Sequence, residues 1–137
     1  EPIIDDTVWN PCDYAHVLTR RARGMPFWFS LAVHGTDAYR DAIEHTLDVA
    51  RAVRDLVVAA PHLELLVEPE LSVVAFRRTG WDLADYQTWC DRLLADGTAL
   101  LTPTTVDGTA AMRVCIVNPR TTVEDLAEVL ATLEPGA

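Results

Sequence analysis

Apolar residues recur at Tyr39, Ile43, Leu47, Ala50, Val53 and Val57 in steps of three and four, with Arg40, Asp41, Glu44, Asp48, Arg51 and Asp55 between them. That spacing sets the first group along one stripe of an α-helix and the second on the opposite face, which predicts a helix over roughly 36 to 59. Thr36 or Asp37 offers an N-cap, and Pro61 ends the run. Glu44 and Asp48 each have an arginine three or four positions away, a spacing that adds about 0.2–0.5 kcal/mol per pair.

The period then changes from 3.6 to 2. Leu63, Leu65 and Val67 alternate with Glu64 and Glu68, the pattern of a half-buried strand. Glu68-Pro69-Glu70 marks a turn. The segment 71–76 is a second, more fully buried strand closed by Thr79-Gly80. So short a connection argues for an antiparallel hairpin. Asp82 is placed to N-cap a helix, with Asp85 three positions on. Tyr86, Trp89, Leu93 and Leu94 form its apolar face, and Gly97 is its natural C′ residue. Residues 98–106 read as a third strand, bent or ended near Pro103. Asp107-Gly108 is a strong hairpin signal, and 111–117 is a fourth strand. Thr121-Thr122-Val123-Glu124 reads as a capping box, opening a last helix with Val123, Leu126, Ala127 and Leu130 inward.

Upstream of the long helix the pattern is less regular. Residues 1–11 carry Pro2, Asp5, Asp6, Asn10 and Pro11 and read as irregular. Asp13 is expected to cap a short helix through Tyr14, Val17 and Leu18 to Arg23, interrupted by Gly24 and Pro26. The nearly all-apolar run 27–33 reads as a buried helix or an interface segment. The order is therefore helices followed by ββαββα. This predicts an α+β fold with one small four-stranded, mainly antiparallel sheet and helices on one face.

Composition narrows the function classes. The chain has 137 residues and a formal net charge of −10, and its eleven basic residues are all arginine. So acidic a chain repels the phosphate backbone and anionic lipid, so neither nucleic acid nor membrane is an expected partner. Its apolar runs are too short to span a bilayer, and no secretion-signal pattern opens it. Cys12, Cys90 and Cys115 share no metal-ligand spacing. Cys90 and Cys115 sit in apolar patterns, read as plain buried thiols, and fit a cytoplasmic location.

No catalytic constellation is complete in the residues alone. His16, His34, His45 and His62 are scattered and read as surface or structural. The motifs HExxH, CxxC, GxSxG, GxGxxG and the P-loop are absent from the sequence. Arg113 stands apart, because it lies inside the apolar strand Met112-Arg113-Val114-Cys115-Ile116. On one reading it falls on the solvent side of the alternation. On the other it points into a cleft and binds a carboxylate through its bidentate fork. The cluster Arg20-Arg21-Ala22-Arg23 also has two readings: a solvated helix end favouring the C-terminal dipole, or an interface that pairs with a partner's acids.

These residues also carry a resemblance. Thr19-Arg20-Arg21-Ala22-Arg23-Gly24-Met25-Pro26-Phe27-Trp28 resembles the Ser-Arg-Arg-x-Arg-x-Leu-Lys-x-Trp motif of group II pyridoxal-phosphate (PLP) decarboxylases, with Pro26 standing where the motif has lysine. His34-Gly35-Thr36 and the helix after it resemble the family's Tyr-Gly and long C-terminal helix. Pro69 to Arg77 is similar to its hairpin strand. Arg113-Val114-Cys115-Ile116-Val117-Asn118-Pro119-Arg120-Thr121-Thr122 is similar to its Leu-Arg-Phe-x-Ile-x-Asn-x-x-Thr-Thr ending.

The resemblance implies the C-terminal small domain of a fold-type-I PLP enzyme, over residues 35–137, with residues 1–34 as linker and interface helices from an upstream large domain. It implies a homodimeric L-amino-acid decarboxylase releasing CO2 and an amine. Arg113 would meet the substrate α-carboxylate, and Arg21, Arg23, Met25 and Trp28 would lie at the dimer interface near the partner's active site. The family's cofactor lysine, stacking histidine and pyridine-pairing aspartate lie upstream of the matched region, and this sequence contains no lysine. The chain alone is therefore expected to be inactive, with PLP bound by the N-terminal portion of the same protein. Two other readings stand beside this one: the small domain of a related aminotransferase or desulfurase-like enzyme, and a non-enzymatic interaction module.

Overall fold

The computed structural model describes residues 21–135. The expected helix from Asp13, with Cys12, His16 and Arg20, lies outside the described residues. The chain divides into two units, 1–36 and 37–137. The first helix, α1, spans Gly24–Ala59 with a break at Gly35, whose φ of 75° and ψ of 164° are not helical. That corner of backbone space is essentially reserved for glycine.

Within the first unit, Gly24 and Pro26 start a helix where the sequence predicted an interruption. Pro26 stands in the first turn, where its missing N–H would have had no helical partner. The Met25 N–H donates to the Ala22 carbonyl at 3.0 Å, which closes the entry turn. Met25, Phe27, Trp28, Phe29 and Val33 are all more than half exposed. Trp28 and Phe29 meet edge to face at 5.1 Å between ring centroids. Arg21 and Arg23 stand ahead of this helix, and the upstream helix whose C-terminal dipole one reading assigned them to lies outside the described residues.

The second unit carries a four-stranded sheet in the order β1-β2-β4-β3, with β1 at Leu63–Val67, β2 at Val73–Arg78, β3 at Pro103–Val106 and β4 at Thr109–Cys115. Every pairing among the described residues is antiparallel. α2 (Leu83–Ala95) links β2 to β3, and α3 (Val123–Ala131) follows β4. One sheet face is the core side. Val74 lies opposite Val114, and Phe76 opposite Met112. These four pack with Val49, Val53 and Val57 of α1, Tyr86, Trp89 and Leu93 of α2, and Leu126, Val129 and Leu130 of α3.

Local chemistry explains the element ends. Asp82 accepts from the Ala84 and Asp85 N–H groups while Asp85 accepts from the Asp82 N–H, a reciprocal capping box. At the other end of α2 the Gly97 N–H reaches the Leu94 carbonyl and the Thr98 N–H reaches Leu93, which is a Schellman motif. It requires the left-handed backbone that Gly97 takes, with φ 71°. Asp107 and Gly108 have φ of 50° and 77°, and Val106 pairs with Thr109 around them. Two positive φ values in a two-residue loop match the twist of the flanking strands.

Four expectations are corrected. Residues 98–102 are not strand, because the Schellman turn commits Thr98 and Ala99 to the Leu93 carbonyl. The last capping box is one residue later, with Thr122 and Asp125 in place of Thr121 and Glu124. The later register turns Leu126, Val129 and Leu130 to the core. Ile43 is 57% exposed, and Thr46 and Val49 are buried in its stead. Thr46 tolerates burial because its hydroxyl donates to the Ile43 carbonyl at 2.8 Å. Cys115 is exposed while Cys90 is buried, since odd-numbered positions of β4 face away from the core after Met112.

Candidate functional site

The outer face of the sheet holds the sequence's odd residue. Arg113 is exposed on β4, opposite Ala75 of β2 and on the same face as Cys115. Another arginine of that face, Arg77, is paired with Glu64 across the β1–β2 ladder at 2.7 Å. Among the described residues no hydrogen bond or ion pair reaches the Arg113 side chain. Its surroundings are apolar for an outward face: Ala75 lies opposite, and Leu100, which lines a depression together with Arg113, is 76% exposed.

The ladders on the two sides of β4 have unequal lengths. With β3 the pairing stops at Pro103 opposite Met112. With β2 it runs on to Val73 opposite Cys115, and the Ile116 N–H still donates to Ser72 at 2.8 Å. The segment 113–116 therefore has a strand neighbour on one side only. On the other side lies an open depression of about 280 Å³, lined by Leu100, Leu101, Thr102, Thr121 and Arg113 among others. Arg113 is its one charged lining residue. His45 of α1 contacts the Thr121 carbonyl at 3.2 Å through Nε2 and so ties the wall after β4 to the long helix. The structure thus brings together Arg113, a short unpaired strand edge and a small open cleft, chemistry suited to receiving one carboxylate.

The sequence reading missed the residues that wall this cleft. Leu100, Leu101 and Thr102 were assigned to strand, so no cleft was visible beside Arg113. The signal was Gly97, whose turn uses up the backbone donors that a strand needs. Of the other site expectations, Arg21, Arg23, Met25 and Trp28 all lie in the first unit and are exposed. His34 and His45 are exposed and His62 is half-buried. Among the described residues no group of three His, Cys, Asp or Glu side chains is placed to hold a metal ion, and no helix is long and apolar enough to cross a membrane.

No protein-family model matches the chain. It is 30% identical over 124 residues to an aromatic-L-amino-acid decarboxylase of Bacillus atrophaeus, an alignment covering 85% of this chain and 26% of that protein. It is 32% identical over 126 residues to an L-2,4-diaminobutyrate decarboxylase of Acinetobacter baumannii, covering 85% and 25% respectively. In structure it is similar to the glutamate decarboxylase domain of a diaminobutyrate-pyruvate transaminase and L-2,4-diaminobutyrate decarboxylase from Vibrio parahaemolyticus, with a TM-score of 0.73 and 31% identity over 86% of this chain and 26% of that one. The chain spans about a quarter of the length of the relatives it matches. Its homologues and structural neighbours are thus group II PLP-dependent decarboxylases, and the part of them that it matches is their C-terminal portion.

Proposed function

We propose that this chain is the substrate-facing C-terminal unit of a PLP-dependent L-amino-acid decarboxylase, which releases CO2 and an amine, and that Arg113 receives the substrate α-carboxylate. The observation that carries this reading is an arginine with no partner among the described residues, set in apolar surroundings as the one charge in its cleft. A guanidinium offers two parallel N–H donors matched to a carboxylate. Apolar neighbours strengthen that pair by excluding water.

The donor set of this chain does not fit PLP itself. A Schiff base needs a lysine amine, and the sequence has none. In this reading PLP is held by a lysine-bearing portion of the same protein, and the isolated chain is inactive. The first unit supports a homodimer. Arg21 and Arg23 stand ahead of a helix with no acid in its first turn, although its N-terminal end disfavours cations. Acids from a partner subunit would relieve that charge, and Met25, Phe27 and Trp28 supply exposed apolar area beside it.

The test uses the full-length protein and Arg113→Met. Losing a charge-assisted pair of about 1.5–3 kcal/mol should lower kcat/KM by about 10- to 150-fold, while binding of the amine product, which lacks the carboxylate, stays unchanged. Arg113→Lys should recover only part of the loss, because a point charge lacks the fork. An unchanged kcat/KM in Arg113→Met would remove Arg113 from the site.

A further inference from the structure

On the other side of the sheet lies a second cleft, and its chemistry does not depend on the decarboxylase reading. Arg78 continues the core-side alternation of Val74 and Phe76 at the end of β2, whereas Arg113 lies opposite Ala75 on the outer side. Arg78 is unusually well anchored. Its N–H donates to the Tyr86 hydroxyl at 2.7 Å, its Nε donates to the Leu133 carbonyl at 2.6 Å, and its guanidinium lies 4.6 Å over the Trp81 ring. Those contacts fix the group and leave its terminal Nη nitrogens without an ion pair among the described residues. They border a depression of about 280 Å³ lined by Arg78, Trp81, Asp85, Thr88, Trp89, Arg92, Thr132 and Glu134.

A second cation stands there too. Arg92 of α2 has no ion pair among the described residues. The other polar groups of the lining are largely committed. Asp85 caps α2 through the Asp82 N–H, the Thr88 hydroxyl donates to Ala84, and the Thr132 hydroxyl donates to Val129 while accepting the Trp89 indole N–H at 2.8 Å. Glu134 is the remaining free acid of the lining. Trp81 meets Tyr86 and Trp89 edge to face, at 5.3 and 6.2 Å, and so makes an aromatic wall. In a chain of net charge −10, two unpaired arginines that share an aromatic-walled cleft are a specific feature.

We infer that this cleft is a binding site for a small carboxylate with a flat apolar body, the carboxylate between Arg78 and Arg92 and the body against Trp81 and Trp89. The Arg78 guanidinium, already anchored, loses little freedom when it donates to an anion, and indole edges favour a flat ring against them.

Benzoate is the probe and benzamide its neutral counterpart, each titrated into the isotopically labelled 137-residue chain. The readouts are the indole N–H resonances of Trp81 and Trp89 and the Arg78 Nε–H resonance. Saturable shifts with benzoate are expected, with affinity about tenfold weaker for benzamide and about tenfold weaker for benzoate in Arg92→Gln. Arg92 is exposed, so this variant should keep the fold, and unchanged core methyl resonances would show that it has. No saturable shift, equal affinity for benzamide, or undiminished affinity in a folded Arg92→Gln chain would each overturn the inference.

Discussion

Tyr86→Phe isolates a single buried oxygen. The ring is fully buried, its edge meets Trp81 at 5.3 Å, and its hydroxyl accepts the Arg78 N–H at 2.7 Å. Phenylalanine keeps the ring and removes only the acceptor, so the Arg78 N–H loses its partner at the end of β2. A donor stranded in this way costs about 1–3 kcal/mol. The same substitution has a pH signature. Burial pushes the Tyr86 phenol above its ordinary value, opposed by the hydrogen bond from Arg78. A raised folded-state pKa means that the folded state holds the proton more tightly. The associated stability is complete below the unfolded value, about 10, and is lost as pH rises through the folded value. Urea denaturation at pH 7 and pH 11 measures both effects. The variant should unfold at lower urea with an unchanged slope at pH 7, and the gap to the parent should narrow at pH 11. A loss under about 0.5 kcal/mol at pH 7, the scale of an unremarkable surface change, would refute the claim that the hydroxyl is the sole partner of that N–H.

Phe76→Ala, which removes a fully buried ring facing Met112, should cost about 3–5 kcal/mol by the same denaturation assay. Gly97→Ala should destabilise by about 1 kcal/mol, because φ of 71° strains any side chain there although the space is open; a neutral result would mean that the Schellman turn is not held. The backbone N–H of Thr122 keeps the Asp125 carboxyl below the usual range, so its contribution is present above about pH 4 and fades as pH falls through the lowered folded value; Asp125→Asn should flatten that part of the acid limb in a pH titration of stability. In a Cys12→Ser background, Cys115 should react with a thiol reagent in the native chain and Cys90 only after unfolding, since Cys90 is buried and its thiol is pushed up by that burial.

Much of the second unit was legible because its signals are local. Asp82 with Asp85, Gly97, and Asp107-Gly108 each specify a backbone geometry within a few residues, and each sits where the sequence placed it. The failures came where two local signals competed. Thr121 and Thr122 both satisfy a capping pattern, and burial of Val129 with Leu130 selects the second. Residues 98–101 have apolar strand character, but the turn at Gly97 takes their first donors. Pro26 reads as a breaker in the middle of a pattern and as a starter in a first turn, and nothing in its neighbours says which. Arg113 was legible as an anomaly of alternation. Its cleft was not, because a ladder that ends early on one side is a property of three segments together.

That early ending has a mechanical side. A strand bonded on both flanks resists bending out of the sheet plane, whereas residues 113–116 are restrained by β2 alone. The core residues Val114 and Ile116 still anchor the inward side of this stretch. The result is a strand end with a root at Met112, a supported inner surface, one unbonded flank, and Arg113 on its outer face. A change of side chain at Arg113 therefore leaves the hydrophobic interior and the β2–β4 ladder intact, at little cost to the stability of the fold.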